Sequence, residues 1–118
     1  MLYKKRNGRK DIAWLGTTLD TLRRFPNSIK AELGHDLDLV QQGLSPRDYK
    51  PMSNLGHGII EIRQRDNHGA FRLIYVAKFA ERIYVLHVFQ KKTQKTSPQD
   101  LNIIKKRYHA LLEIENGH

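Results

Sequence analysis

The feature that most constrains this chain is a period-two alternation that begins at Gly58 and runs to Phe89. Successive side chains of a strand point to opposite faces, so Ile60 and Ile62 share one face while Ile59, Glu61 and Arg63 share the other. Asp66-Asn67-His68-Gly69 supplies a turn, and Ala80-Glu81 marks a second. Phe71–Ala77 and Ile83–Phe89 are rich in aromatic and β-branched residues and predict two further strands. Three antiparallel strands joined in chain order make a meander, and its apolar side must be covered by other elements.

The flanking segments supply that cover. Ile12-Ala13-Trp14-Leu15 predicts a short first strand, with Leu2-Tyr3 as a candidate backward extension. Met1–Lys10 carries five basic residues and no acid, and is expected as a basic N-terminal extension or edge strand. Thr17 or Thr18 can cap a short helix through Arg24, with Asp20 suited to the positive end of its dipole. Pro26 fits the first turn of a second helix, where Ile29, Leu33, Leu37 and Val40 recur at helical spacing until Gln42-Gly43 stops it. Leu44–His57, with Pro46, Pro51 and Gly56, reads as a connecting loop. Ser97-Pro98-Gln99-Asp100 is a helix start, followed by an apolar stripe at Leu101, Ile104, Tyr108 and Leu111.

The resulting order, β-α-α-β-β-β-α, predicts an α+β fold. Its small, mostly antiparallel sheet has two N-terminal helices and one C-terminal helix packed on one face, leaving the opposite face for a ligand. A length of 118 residues suits a single domain over 1–118.

Charge narrows the partner. Lys and Arg number 21 against 12 acids, a formal charge of +9, which favours polyanions through phosphate neutralisation and counterion release. The absence of Cys excludes disulfides, thiol nucleophiles and Cys-ligated zinc, and suits a reducing cytoplasm. No apolar stretch of signal-peptide length follows the basic lead-in, and none is long enough to span a bilayer. The six histidines show no paired metal-ligand spacing, so neither a metal nor another cofactor is expected.

Strand parity puts Arg63 opposite Ile60 and Ile62, free to meet a phosphate. Arg72, among apolar neighbours, needs an anion or solvent; Glu61 can be its cross-strand partner or, alternatively, a base. The run Lys91-Lys92-Thr93-Gln94-Lys95-Thr96 lies where the last strand gives way to the final loop, so several donors can converge on one phosphate, or simply face water. Arg63, Arg72, Lys91 and Lys92, with Arg65, Thr93, Lys95 and Thr96 beside them, form the candidate phosphate-binding set. His87, on an apolar strand between Leu86 and Val88, is either a satisfied structural histidine or a base.

With these residues in place, the sequence resembles the RelE/HigB-like toxins, in their phage-derived branch. The resemblance spans roughly Asp11 to Tyr108. It rests on Trp14-Leu15-Gly16, Phe25-Pro26, Gly34 through Gln42-Gly43, Lys50-Pro51-Met52, Ile60-Glu61-Ile62-Arg63 and Phe71-Arg72-Leu73-Ile74-Tyr75. Its most specific part is Tyr84 through Thr96. The resemblance implies a type II toxin that binds the ribosomal A site and cleaves messenger RNA, and a HigA-like helix-turn-helix antitoxin as partner. With no metal expected, the chemistry expected is attack by the RNA's own 2′-hydroxyl, Arg72 and Arg63 stabilising the charge on the scissile phosphate and Lys91 or Lys92 serving as acid or base. The family's basic positions fall on Arg63, Arg72, Lys91 and Lys92, with Lys95 in addition, whereas the Tyr-His ending that some members place after the last strand is missing here. The alternative reading is a non-catalytic nucleic-acid-binding or phage accessory protein, which needs the basic face but no aligned proton donor. A module whose exposed sheet face receives an antitoxin segment is compatible with the toxin reading.

Overall fold

The computed structural model describes residues 8–117, so the basic residues 4–6 and the candidate extension at Leu2-Tyr3 lie outside the described residues. The chain runs β1 (Asp11–Trp14), α1 (Thr18–Arg23), α2 (Asn27–Gln41), β2 (Tyr49–Pro51), β3 (Ile59–Asp66), β4 (Gly69–Val76), β5 (Arg82–Lys91) and α3 (Pro98–Glu115). The strands form one sheet in the order β1-β5-β4-β3-β2. β1 pairs parallel to β5, and the other pairs are antiparallel. The mixed α+β class and the meander are as the alternation predicts.

Three expectations are corrected. The segment read as a loop from Leu44 to His57 contains β2, whose Lys50 pairs with Glu61 of β3. Three residues are too few for a periodicity to appear, and Pro51 is tolerated because β2 is an edge strand. Pro26 sits at the N-cap of α2, in extended geometry, rather than inside the first turn.

The third correction concerns layering. The helices cover both faces of the sheet. Leu22 of α1 and Ile29, Leu33, Leu37 and Val40 of α2 pack on Ile62, Phe71, Leu73, Tyr75, Val85 and Val88. Ile104, Tyr108 and Leu111 of α3 pack on Ile59, Ile74, Val76, Tyr84, Leu86 and Phe89. The reason is in β4, where both parities are apolar: Phe71, Leu73 and Tyr75 on one side, Ile74 and Val76 on the other. A strand apolar on both faces requires cover on both.

Ser97 caps α3 as expected, its Oγ accepting from the Asp100 backbone N–H at 3.1 Å. In β5 the register shifts opposite Ile74 and Tyr75, which pair with His87 and Val85 and leave Leu86 as the extra residue of a bulge. Both Leu86 and His87 therefore lie on the α3 side, and the Leu86 carbonyl accepts a 2.8 Å hydrogen bond from Arg107 Nη1.

Candidate nucleic-acid interface

Cross-strand register fixes which side chains share the α3 side of the sheet. Successive rows across β3, β4 and β5 are Glu61–Ile74–His87, Arg63–Arg72–Phe89 and Arg65–Ala70–Lys91. The apolar cluster under α3 ends at Phe89, so the Arg and Lys positions lie past the ground the helix covers. A cleft of about 450 Å³ opens there, lined by Glu61, Arg63, Arg72 and Lys91 from the meander. Lys50, Pro51, Met52 and Asn54 line it from the side of β2, and Gln94, Lys95, Thr96 and Leu101 from the loop and first turn before and in α3.

Five basic residues (Lys50, Arg63, Arg72, Lys91, Lys95) thus meet a single acid, Glu61. The Glu61 side chain is 7% exposed, with Oε1 3.1 Å from Arg63 Nε and Oε2 3.6 Å from Arg72 Nε. Arg72 is itself only 12% exposed, and its Nη1 donates to its neighbour's carbonyl, Phe71, at 3.0 Å. Its buried Nε has no hydrogen bond, so the link to Glu61 is electrostatic rather than a formed bond. Burial pushes the Arg72 guanidinium below its ordinary pKa; Glu61 opposes that shift, while Arg63 and Arg65 add to it. Removing water from a cation among other cations leaves it short of negative charge, which is the electrostatic condition for an anion to bind.

The loop after β5 is closed on itself. Lys91 Nζ donates to the Gln94 carbonyl and Thr93 Oγ1 to the Lys95 carbonyl. Lys95 and Thr96 consequently face the cleft, whereas Lys92 and Thr93 are exposed and do not line it. Arg65 lines an adjoining cavity instead. His87 is not brought to the cleft. Its Nε2 lies 2.7 Å from Asp100 Oδ1, its ring stacks on Phe89 with centroids 4.9 Å apart, and Asp100 Oδ2 accepts from Ser97 Oγ at 2.8 Å. That network ties β5 to the start of α3.

Two contributions escape a reading of the sequence. Lys50 enters the cleft because β2 pairs with β3; the sequence marked it only within the Lys50-Pro51-Met52 element of the resemblance, with no site role attached. Asp36 of α2, fully buried, accepts from the Arg47 backbone N–H at 3.2 Å, from Arg47 Nε at 2.9 Å and from Gln64 Nε2 at 2.8 Å. It pins the approach to β2 against β3, and the Asp48 carbonyl there accepts from Arg63 N–H at 3.0 Å. Its signal, one acid at a helical position otherwise facing the core, is visible only once α2 is docked.

Among the described residues no three His, Asp or Glu side chains are grouped to hold a metal ion, and no helix is long and apolar enough to cross a membrane.

Fold and site together define a class: a small α+β protein with a mostly antiparallel five-stranded sheet and a cationic cleft beside its C-terminal helix. The chain belongs to the family described as Phage derived protein Gp49-like (DUF891), whose match covers residues 20–109, from α1 into α3. No curated protein matches it.

Proposed function

We propose that this protein, as one domain over 1–118, is the cytoplasmic toxin of a type II toxin–antitoxin pair and cleaves messenger RNA in the ribosomal A site. The observation that carries the reading is the convergence of Arg63, Arg72 and Lys91, joined by Lys50 and Lys95, around one buried carboxylate in a cleft. Membership of a phage-derived family related to toxin–antitoxin toxins supports it. A HigA-like helix-turn-helix antitoxin is the partner that goes with it.

In this mechanism the 2′-oxygen attacks the adjacent phosphorus, a cyclic 2′,3′-phosphate forms and the bond to the 5′-oxygen breaks. Arg72 and Arg63 hold the non-bridging oxygens as their charge grows, an electrostatic role that needs fixed cations in a partly dry site. Glu61 sets the two guanidiniums, since both of its oxygens are turned to them. The Lys91 ammonium protonates the departing 5′-oxygen, and the 2′-hydroxyl proton leaves to water at the open mouth of the cleft.

Purified ribosomes programmed with a message test the reading. Wild-type protein cuts the translated message, and Arg72→Ala cuts about 100-fold more slowly, the scale of losing one preorganised charge donor. Undiminished cutting by folded Arg72→Ala removes Arg72 from the mechanism. Binding of the message without cutting by wild-type protein favours the non-catalytic nucleic-acid-binding reading.

A further inference from the structure

The cleft adjoins a second cavity of about 310 Å³, lined by Asp48, Arg63, Gln64, Arg65 and Arg72. We propose that this cavity is a subsite for the RNA phosphate next to the scissile one, held by Arg65 together with Arg63, so that the RNA strand runs along β3. The inference rests on the RNA-cleaving reading of the main cleft and adds a direction and a second contact to it.

Four observations carry it. First, Arg63 and Arg72 line both cavities, so an anion chain can pass from one to the other without leaving guanidinium contact. Second, Arg63 and Arg65 stand two residues apart on one strand, on the same face, about 7 Å apart by strand geometry. That is the scale on which successive phosphates of an extended single strand follow one another. Third, the register partner of Arg65 on β4 is Ala70. Ala70 is buried, and its methyl group is too short to cover the exposed Arg65 side chain. Fourth, three guanidiniums meet one carboxylate in this cavity, and the Arg65 guanidinium has no ion-pair partner among the described residues.

The lone acid, Asp48, is exposed at the rim and gives the site a sign-specific handle. A phosphate entering beside it is opposed by its charge, so neutralising Asp48 strengthens binding where neutralising Arg65 weakens it. A generally sticky basic surface shifts the binding of one phosphate and of two alike, whereas a subsite at these two positions shifts the ratio between them.

The test compares two oligonucleotides at low ionic strength by NMR titration of the full chain. One is a dinucleotide with a single phosphate, the other a trinucleotide with two, both carrying 2′-deoxyribose at the cleavage position so that no cutting occurs. In the wild type the second phosphate raises affinity about fivefold, the ordinary worth of one charge-assisted contact at a partly exposed site. Arg65→Ala brings that ratio close to one, and Asp48→Asn raises it above the wild-type value. The trinucleotide's salt slope also falls by about one in Arg65→Ala. A trinucleotide-to-dinucleotide ratio in Arg65→Ala equal to that of the wild type overturns the subsite while leaving the main cleft standing. Failure of the wild type to bind either oligonucleotide overturns the RNA reading of the cleft itself. A hexaglutamate peptide that displaces the trinucleotide at equal concentration, with the same dependence on Arg65, assigns the cavity to protein carboxylates and overturns the proposal.

Discussion

Arg63 and Arg72 are register partners on adjacent antiparallel strands, two like charges directly opposite one another on the same face of the sheet. Such a pair is destabilising by itself. It persists here because Glu61, one pleat along β3, reaches both guanidiniums, at 3.1 and 3.6 Å. The arrangement spends one acid on two bases and leaves net positive charge at the place where strand parity and α3 together leave the sheet uncovered.

Replacing Glu61 with Gln keeps the shape and removes the charge that holds the two arginines. The variant should lose about 2 kcal/mol of stability, as for a partly buried charged contact whose partners stay behind. Urea denaturation measures this. The Glu61→Gln, Arg63→Gln double variant should recover part of the loss, because one of the two repelling cations is then gone; a double variant as unstable as the sum of its parts contradicts the account.

How much of this was legible in the sequence follows from which signals are local. The period-two runs in β3 to β5 and the Ser97-Pro98 start of α3 gave the meander and the last helix, since alternation and capping need only a few neighbouring residues. Parity likewise put Arg63 on the face opposite Ile60 and Ile62, whereas Arg72 was marked by its apolar neighbours and is largely buried beside Glu61. The placement of the helices on two faces was readable in principle from the doubly apolar β4, where Phe71 and Ile74 both needed cover. Lys50 and Asp36 were not readable, because each acquires its role from a partner far along the chain: Glu61 across a three-residue strand, and Gln64 across the α2–β3 contact. Lys92 and Thr93 illustrate the converse. Their spacing placed them with Lys91 and Lys95, but the loop's own hydrogen bonds turn only some of that run into the cleft.

His87 makes stability depend on pH. Burial pushes its pKa below the ordinary 6.5, with Arg107 adding to the shift and the hydrogen bond to Asp100 opposing it. A histidine so depressed is neutral in the folded protein at a pH where the unfolded chain already binds its proton. Its contribution is therefore complete above about pH 6.5 and is lost as pH falls through the lower folded value. Urea midpoints should be lower at pH 5.5 than at pH 7.5, and His87→Gln should shrink that difference. Asp38 and Asp66, both held below 3.8, do not take up protons in this window.

Gly16 ends the approach from β1 to α1 with φ +56°, and a Cβ there would lie 2.4 Å from Arg107 Nη2. The same guanidinium bonds the carbonyl of the bulge residue Leu86. Gly16→Ala therefore adds left-handed backbone strain and displaces Arg107 from a partly buried bond, together about 2–3 kcal/mol. Combining it with Arg107→Ala should cost less than the two single changes summed, because the displaced group is absent. Thermal melts of the four proteins check the coupling.

Arg72→Lys separates charge from geometry at the cleft floor. The guanidinium turns Nε toward Glu61 while Nη1 donates to the Phe71 carbonyl, which fixes the plane of the fork and leaves its other edge for a phosphate. An ammonium keeps the charge but presents one point, and cannot serve carboxylate, carbonyl and phosphate together. Single-turnover cleavage of message on stalled ribosomes should therefore be slowed by about 100-fold in Arg72→Lys, close to the effect of Arg72→Ala. Restoration of most of the wild-type rate by lysine, in a variant that melts normally, would show that charge alone suffices at this position and that the fork held by Glu61 is dispensable.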